Sequence, residues 1–356
     1  MKENKKENLK EMKTVYLLGA GASADSDFKL PCLGDFFKES FEKEKYPYLY
    51  NFIKNYFPFT SLENLNLEEV ITFLELSIDK FGRFGNEIEP SLYNARREFG
   101  QFVYDRLNYK PIDGRKWCSK HKIFLEKLSL DDSIITLNYD LVIEHTAYEI
   151  QLAWKPDHPK ILERMYDLLE STTRLAGGDR PTMYDQYKPM GQLLKLHGSI
   201  DWFYCPREMC PHHQAFYPNW IHEKKVLTSP GDLCKACGTP LAPVIIPPTM
   251  SKSFVEFPKL GFLWSLAFRK LRDTDRVIII GLSFTESDYY LRWLIKSSLL
   301  SRGKAQPKVL IVDKNNEICH KFENLTGIAI PAENYFGSID DFNQSYGEGF
   351  ANDRKG

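Results

Sequence analysis

Six short apolar runs constrain this 356-residue chain more than any other feature: residues 14–18, 133–137, 193–196, 244–246, 276–280 and 308–312. Each ends at a glycine, a proline or a polar residue, so each reads as a buried strand rather than a piece of a longer helix. Segments with helical spacing separate them. Strands that alternate with helices need crossover connections, which predicts an α/β fold: a Rossmann-like parallel sheet with helices on both faces. In such a sheet ligands bind beyond the carboxyl ends of the strands, where residues distant in sequence converge.

The sheet pattern is interrupted twice. Between residues 36 and 128 longer aromatic and charged segments appear, such as Leu67-Glu68-Glu69-Val70-Ile71-Thr72-Phe73-Leu74-Glu75-Leu76, whose apolar spacing suits amphipathic helices. This stretch is expected to be an inserted helical subdomain. Residues 151–190 carry two breaker clusters, at 155–159 and 177–181, and are expected to form loops with one short helix near 160–170. The expected organisation is a tail over 1–13, a sheet domain over 14–35, 129–202 and 241–345, a metal module over 203–240 and a second tail over 346–356. A length prior of about 150 residues per domain allows about two domains.

Polar residues stand where the runs stop. Gly19-Ala20-Gly21-Ala22-Ser23 follows the first run. Its glycines permit a tight turn and close approach of backbone amides to a pyrophosphate, although an ordinary strand-to-helix turn has the same composition. Asn138 and Asp140 follow the second run and His197 the third. Taken singly, an asparagine at a strand end suits a turn and a histidine there suits a structural role. Gly281 and Ser283 follow Val277-Ile278-Ile279-Ile280, the most apolar stretch of the chain. The Ser283 hydroxyl can donate to a phosphate oxygen. Asp313 ends the last run, where a carboxylate can accept from ribose hydroxyls or simply cap a turn. Asp288 precedes a predicted helix over 289–300 and reads as its N-cap or as a ligand contact. Residues 335–340 are expected to start a final short helix covering the sheet.

Seven cysteines, an odd number, speak against a disulfide framework. Four of them fall within 33 residues, as Cys205 and Cys210 with four residues between and Cys234 and Cys237 with two. Two such pairs match a tetrahedral structural zinc site, in which four thiolates leave no open position for a substrate. His212 and His213 lie beside Cys210 and could replace one ligand. The formal net charge of −1 gives no electrostatic reason to expect direct nucleic-acid binding, although a local basic patch is compatible with it. No apolar run approaches the ~20 residues of a membrane helix, and the charged first thirteen residues lack the core of a signal peptide. The expected location is cytoplasmic.

In chain order, Gly19-Ala20-Gly21-Ala22-Ser23, Thr136-Leu137-Asn138-Tyr139-Asp140, Leu196-His197-Gly198-Ser199, the paired cysteines and Gly281-Leu282-Ser283 resemble the sirtuin superfamily. Within it the chain is more similar to SIR2-like proteins of bacteria, many of them NAD hydrolases in anti-phage defence, than to the protein deacylases. The resemblance spans roughly residues 14–313 and leaves 36–132 unmatched. It implies NAD as substrate, with Asn138 orienting water or ribose and His197 as general base. By the same resemblance Gly19, Ala20, Gly21, Ser23, Asp140, Gly281 and Ser283 hold the nucleotide, with Asp313 added from its strand-end position. Leu137 stands where the deacylases have glutamine.

The expected activity is NAD glycohydrolysis to nicotinamide and ADP-ribose, by a regulated effector of anti-phage defence. The alternatives are an NAD-dependent protein lysine deacylase and a non-catalytic NAD or ADP-ribose sensor. Deacylases pair their peptide with a segment after the zinc module; here that segment reads Ile245-Ile246-Pro247-Pro248-Thr249, and proline has no N–H to donate. The resemblance further implies a homo-oligomer and a regulatory partner, such as an operon-encoded ATPase or a guided nucleic-acid-binding protein.

Overall fold

The computed structural model describes residues 12–38, 41–84, 90–129, 131–153, 192–207, 209–211, 217–218, 232–246, 258–285 and 288–348. In chain order the main elements are β1 (Thr14–Leu18), α1 (Ala20–Ala24), α2 (Pro47–Tyr56), α3 (Leu67–Phe84), α4 (Pro90–Leu107), α5 (Ser119–Leu125), β2 (Ser133–Thr136), α6 (Val142–Ala153), β3 (Gln192–Lys195) and β4 (Gly198–Tyr204). They continue as β5 (Tyr217–Pro218), β6 (Ala242–Ile245), α7 (Pro258–Asp273), β7 (Arg276–Ile280), α8 (Tyr289–Leu300), β8 (Lys308–Val312), α9 (Glu317–Thr326), β9 (Tyr335–Phe336) and α10 (Ile339–Glu348).

Six strands form one parallel sheet in the order β3-β2-β1-β7-β8-β9. The chain builds outward from β1 through β2 to β3, then returns to add β7 on the other side of β1. That reversal makes the β1/β7 boundary the topological switch point, the place where open parallel sheets bind ligands. Side chains alternate across the strands, so each short run feeds two cores. Val15, Leu17, Ile135, Val277, Ile279 and Ile311 pack with Leu263, Ala267, Leu294 and Phe322 of α7, α8 and α9. Tyr16, Leu18, Ile134, Ile278, Ile280 and Leu310 pack with Phe124, Ile143, Ile150 and Phe342 of α5, α6 and α10. Helices thus cover both faces, and burial of each such apolar side chain contributes roughly 1.5–3 kcal/mol.

Among the described residues between β1 and β2 there is no strand, and α2, α3 and α4 build a core of their own. Leu49, Phe52, Val70, Leu74, Phe99 and Phe102 fill it, and Tyr139, Val142 and Ile200 join it from the sheet side. The helical layer is therefore seated on the loop that follows β2.

One expectation fails here and another is met in part. Residues 244–246 do not resume the parallel sheet: β6 lies in a separate three-stranded sheet, β5-β4-β6, paired antiparallel with β4. The run is apolar because Val244 and Ile246 reach the same core as the main sheet, and burial alone does not reveal a strand's partner. The final helix expected to start within 335–340 does so at Ile339 and covers the sheet through Ile339 and Phe342, but residues 335–336 ahead of it form the sixth parallel strand. The predicted helix near 160–170, the Pro247-Pro248 pair, His212, His213 and most of both expected tails lie outside the described residues, while α10 runs to Glu348, three residues into the expected second tail. Among the described residues, no helix is long and apolar enough to cross a membrane.

Candidate functional site

A cavity of about 470 Å³ opens at the switch point, within the range of small-molecule sites. Gly19, Ala20, Gly21 and Ser23 line it from the turn after β1, Asn138 and Asp140 from the loop after β2, and His197 from the turn after β3. Gly281 and Ser283 join from the turn after β7, and Asp313 from the end of β8. Ten residues spread over nearly 300 positions thus share one wall system, because each terminates a strand of the same parallel sheet.

The turns after β1 and β7 cross in contact. Gly19 N–H donates to the Ile280 carbonyl at 3.0 Å and Gly21 N–H to the Gly281 carbonyl at 2.9 Å. Gly281 has φ +61°, and a Cβ there would lie 2.1 Å from the Ala22 nitrogen. A Cβ on Gly19 or Gly21 would fall 2.5 and 2.7 Å from Gly281 backbone atoms. The glycines therefore serve the close approach of two strand ends, and the Gly21 amide is already engaged by protein. Gly198 gives the same lesson beside His197: with φ +90°, its Cβ position is taken by the Val244 carbonyl 2.1 Å away. It admits β6 rather than a ligand.

The polar groups are held by a connected network. Asn138 Nδ2 donates to the Gly19 carbonyl at 2.9 Å and to Ser23 Oγ at 3.0 Å. Because a carbonyl only accepts, the amide nitrogen must face it, and Oδ1 is the acceptor left on the opposite side of the amide. Ser23 Oγ donates in turn to Asp140 Oδ2 at 2.7 Å, while Asp140 Oδ1 accepts from the Val142 amide at 3.0 Å. The chain Asn138–Ser23–Asp140 ties the end of β2 to α1. A buried ion pair supports it from beneath: Lys195 Nζ lies 2.8 Å from Glu144 Oε1 and donates to the Asp140 carbonyl at 2.5 Å. Removing one member of such a buried pair typically costs about 3–5 kcal/mol.

His197 is 3% exposed. Its Nε2 lies 3.6 Å from Asp288 Oδ2, and its ring stacks on Trp264 with centroids 6.1 Å apart. Its carbonyl accepts from the Ile246 amide at 2.8 Å. Asp288 does cap α8, accepting from the Leu291 amide at 3.2 Å, and the same carboxylate faces the histidine. Tyr139 donates to the Ile246 carbonyl at 2.7 Å. Burial first, then the carboxylates Glu68 and Asp288, hold its hydroxyl well above the usual tyrosine range and hence protonated. Burial also raises Asp313, whose Oδ1 accepts from the Asn315 amide at 2.9 Å.

Three contributors escaped sequence reading. Glu68, 8% exposed in the first turn of α3, lines the cavity with Asn66, whose Oδ1 accepts from the Glu68 amide at 2.8 Å. Asparagine before an apolar periodic run signals a helix start, but nothing local says that this start faces the cavity. Lys195 left a clearer trace, as a lone charge inside the run Leu193-Leu194-Lys195-Leu196. Asp288 was visible as a cap or a ligand contact, without its approach to His197.

The four sulfurs of Cys205, Cys210, Cys234 and Cys237 lie within 4.8 Å of one another, with Cys205–Cys237 at 3.5 Å and Cys210–Cys234 at 3.7 Å. Four thiolates about 2.3 Å from one zinc ion would stand roughly 3.8 Å apart, so the donor set fits a tetrahedral zinc site. Hydrogen bonds from Thr239 lower the Cys237 thiol to about 6, toward the thiolate that metal binding requires. The cluster is compatible with zinc.

No protein-family model matches the sequence. No curated protein matches it. Among solved structures, the chain is similar to a Sir2 enzyme at 15% identity and TM-score 0.45, covering 98% of this chain and 95% of that one. It is similar to a Sir2 homologue in complex with NAD at 17% identity and TM-score 0.47, covering 97% and 92%. A Sir2 bound to an acetylated peptide gives 16% identity and TM-score 0.45, covering 96% and 95%.

Proposed function

We propose that this chain is an NAD glycohydrolase that cleaves NAD to nicotinamide and ADP-ribose. The observation that carries the reading is the single cavity in which Asn138 and His197 stand beside the crossing of the β1 and β7 turns. A dinucleotide laid across that switch point places its phosphates near Gly281 and Ser283, with Asp313 at one ribose and Asn138 at the other. The motif order that resembles SIR2-like NAD hydrolases points the same way. The same resemblance is the basis for proposing a role in defence by NAD depletion.

The chemistry follows from the residues. When the bond from the nicotinamide nitrogen to the ribose C1′ breaks, its electron pair goes to the ring and neutralises the positive charge. An oxocarbenium-like carbon remains, which water captures. His197 takes the water proton, and Asp288 at 3.6 Å stabilises the resulting imidazolium. Asn138 presents Oδ1 to the water or a ribose hydroxyl, its orientation fixed by Gly19 and Ser23. Glu68, Asp140 and Asp288 place negative charge around the cavity where positive charge develops, an electrostatic effect strengthened by exclusion of water. The cysteine cluster is proposed to hold a structural zinc ion, outside the reaction.

The test is incubation of purified protein with NAD, with and without an acetyl-lysine peptide, following nicotinamide, ADP-ribose and acetyl-ADP-ribose. The expected result is peptide-independent ADP-ribose formation that falls at least ~100-fold in both Asn138→Ala and His197→Ala. Acetyl-ADP-ribose formed only with peptide would overturn the reading in favour of a deacylase. NAD binding without turnover would leave a sensor.

A further inference from the structure

A second cavity, of about 290 Å³, shares no residue with the first. Its walls come from α3 and α4, from the end of β4 and the loop inside the first cysteine pair, and from β6 and the chain between the second pair and β6. The charged side chains that line it are Arg96, Arg97, Arg207 and Glu75, three cations against one anion in a chain of net charge −1. Arg96 is committed to Glu75, with Nε 2.7 Å from Oε1. Arg97 and Arg207 are both exposed, and neither side chain makes an ion pair or hydrogen bond among the described residues. Two guanidiniums in one concavity, neither paired among the described residues, can each offer a fork of N–H donors to a phosphate.

Apart from Asn94 and Thr239, the remainder of the lining is aromatic and apolar. Phe99 and Tyr204 are 2% and 4% exposed, and Tyr93 stands at the rim at 38%. A ligand matching this cavity carries both an anionic group and a flat ring, at the small end of pocket volumes. The walls are fixed by packing and by the cysteine cluster. A Cβ on Gly100 would lie 3.1 Å from Pro243, so α4 rides directly on β6. Arg207 lies between Cys205 and Cys210, and its carbonyl accepts from the Cys210 amide at 2.9 Å. On the facing wall, the Thr239 hydroxyl lies 3.2 Å from Cys237 Sγ.

We propose that this cavity is a binding site for a small phosphate-bearing ligand of the nucleotide class, its phosphate held by Arg97 and Arg207 and its base against Tyr93 and Tyr204. The site is independent of the activity assigned to the first cavity. The experiment is photolabelling of the full-length, metal-loaded protein with an azido-adenosine diphosphate, followed by mapping of the labelled peptides. Label is expected on the peptides that contain Tyr93 or Tyr204, competed by inorganic pyrophosphate. In Arg97→Glu/Arg207→Glu the concentration needed should rise roughly tenfold or more, as expected for lost charge-assisted hydrogen bonds. The Arg97→Lys/Arg207→Lys variant, which keeps charge without the fork, should fall between. Any label at the first cavity should be equal in all three proteins, which also reports that the variants are folded. Label absent from Tyr93 and Tyr204, or unchanged there by the charge reversal, overturns the proposal.

Discussion

The turn crossing beneath the first cavity and the cysteine module are held together by opposite means. At the crossing, Leu18, Ile280 and Val312 are each 2% exposed or less, and the backbones of Gly19, Gly21 and Gly281 touch directly. That geometry is a by-product of packing a parallel sheet. In the module the buried cluster among the described residues consists of Phe203, Leu241 and three cysteines, with Cys237 packed against it, and β5 contributes two residues. Those described apolar groups alone do not offset the conformational entropy of the chain that carries them, roughly 1–2 kcal/mol per residue. Ligation of the proposed zinc ion would supply what this core does not. One region should therefore respond to changes in packing, the other to changes in metal.

Chelation is the harshest way to separate them. Removing the proposed zinc ion should abolish amide protection over residues 234–241, because metal binding there is folding free energy. Protection of β1 and β7 should persist in the same hydrogen-exchange experiment. Equal loss in both regions would show that the module and the sheet form one cooperative unit and would break the comparison.

The converse perturbation is Gly281→Ala. It places a methyl 2.1 Å from the Ala22 nitrogen at φ +61°, so either the crossing opens or the variant fails to fold. A loss of about 4 kcal/mol or more in urea denaturation is expected, the size reserved for a clash that cannot relax. Metal content of whatever protein folds should be unchanged.

Acid provides a gentler probe of the sheet side alone. His121 is buried beside Phe124, with Nδ1 3.0 Å from Cys118 Sγ, and burial pushes it down to about 4. Above pH 6.5 the residue is neutral whether folded or not, and its contribution is complete. Between pH 6.5 and about 4 the unfolded chain takes up a proton that the folded chain refuses, so stability falls by about 3 kcal/mol. Urea midpoints at pH 7, 5.5 and 4.5 should trace that decline, and His121→Gln should flatten it. An unchanged slope would assign the acid sensitivity elsewhere.

Much of the molecule was legible in the chain because its signals are local. Residues 14–18, 276–280 and 308–312 match β1, β7 and β8, and the predicted helix over 289–300 is α8, capped by Asp288 as read. A buried parallel strand is announced by its own five residues, and a cap by three or four. Residues 335–336 carried too little length for any periodicity to show. Residues 244–246 displayed the right burial with the wrong partner, since a run of three does not record whether its hydrogen bonds go to β3 or to β4.

The sequence by itself determined which segments bury apolar side chains, where each strand stops and which four sulfurs belong together. These properties depend on neighbours within a few positions. Only the tertiary structure decided that β6 leaves the main sheet, that Asp288 turns from its cap toward His197, and that Glu68 enters the cavity from α3. It likewise decided that the glycines after β1 stand against Gly281. Each of these depends on strand order and helix placement, which arise from the simultaneous burial of both sheet faces and leave no mark on any single stretch of chain.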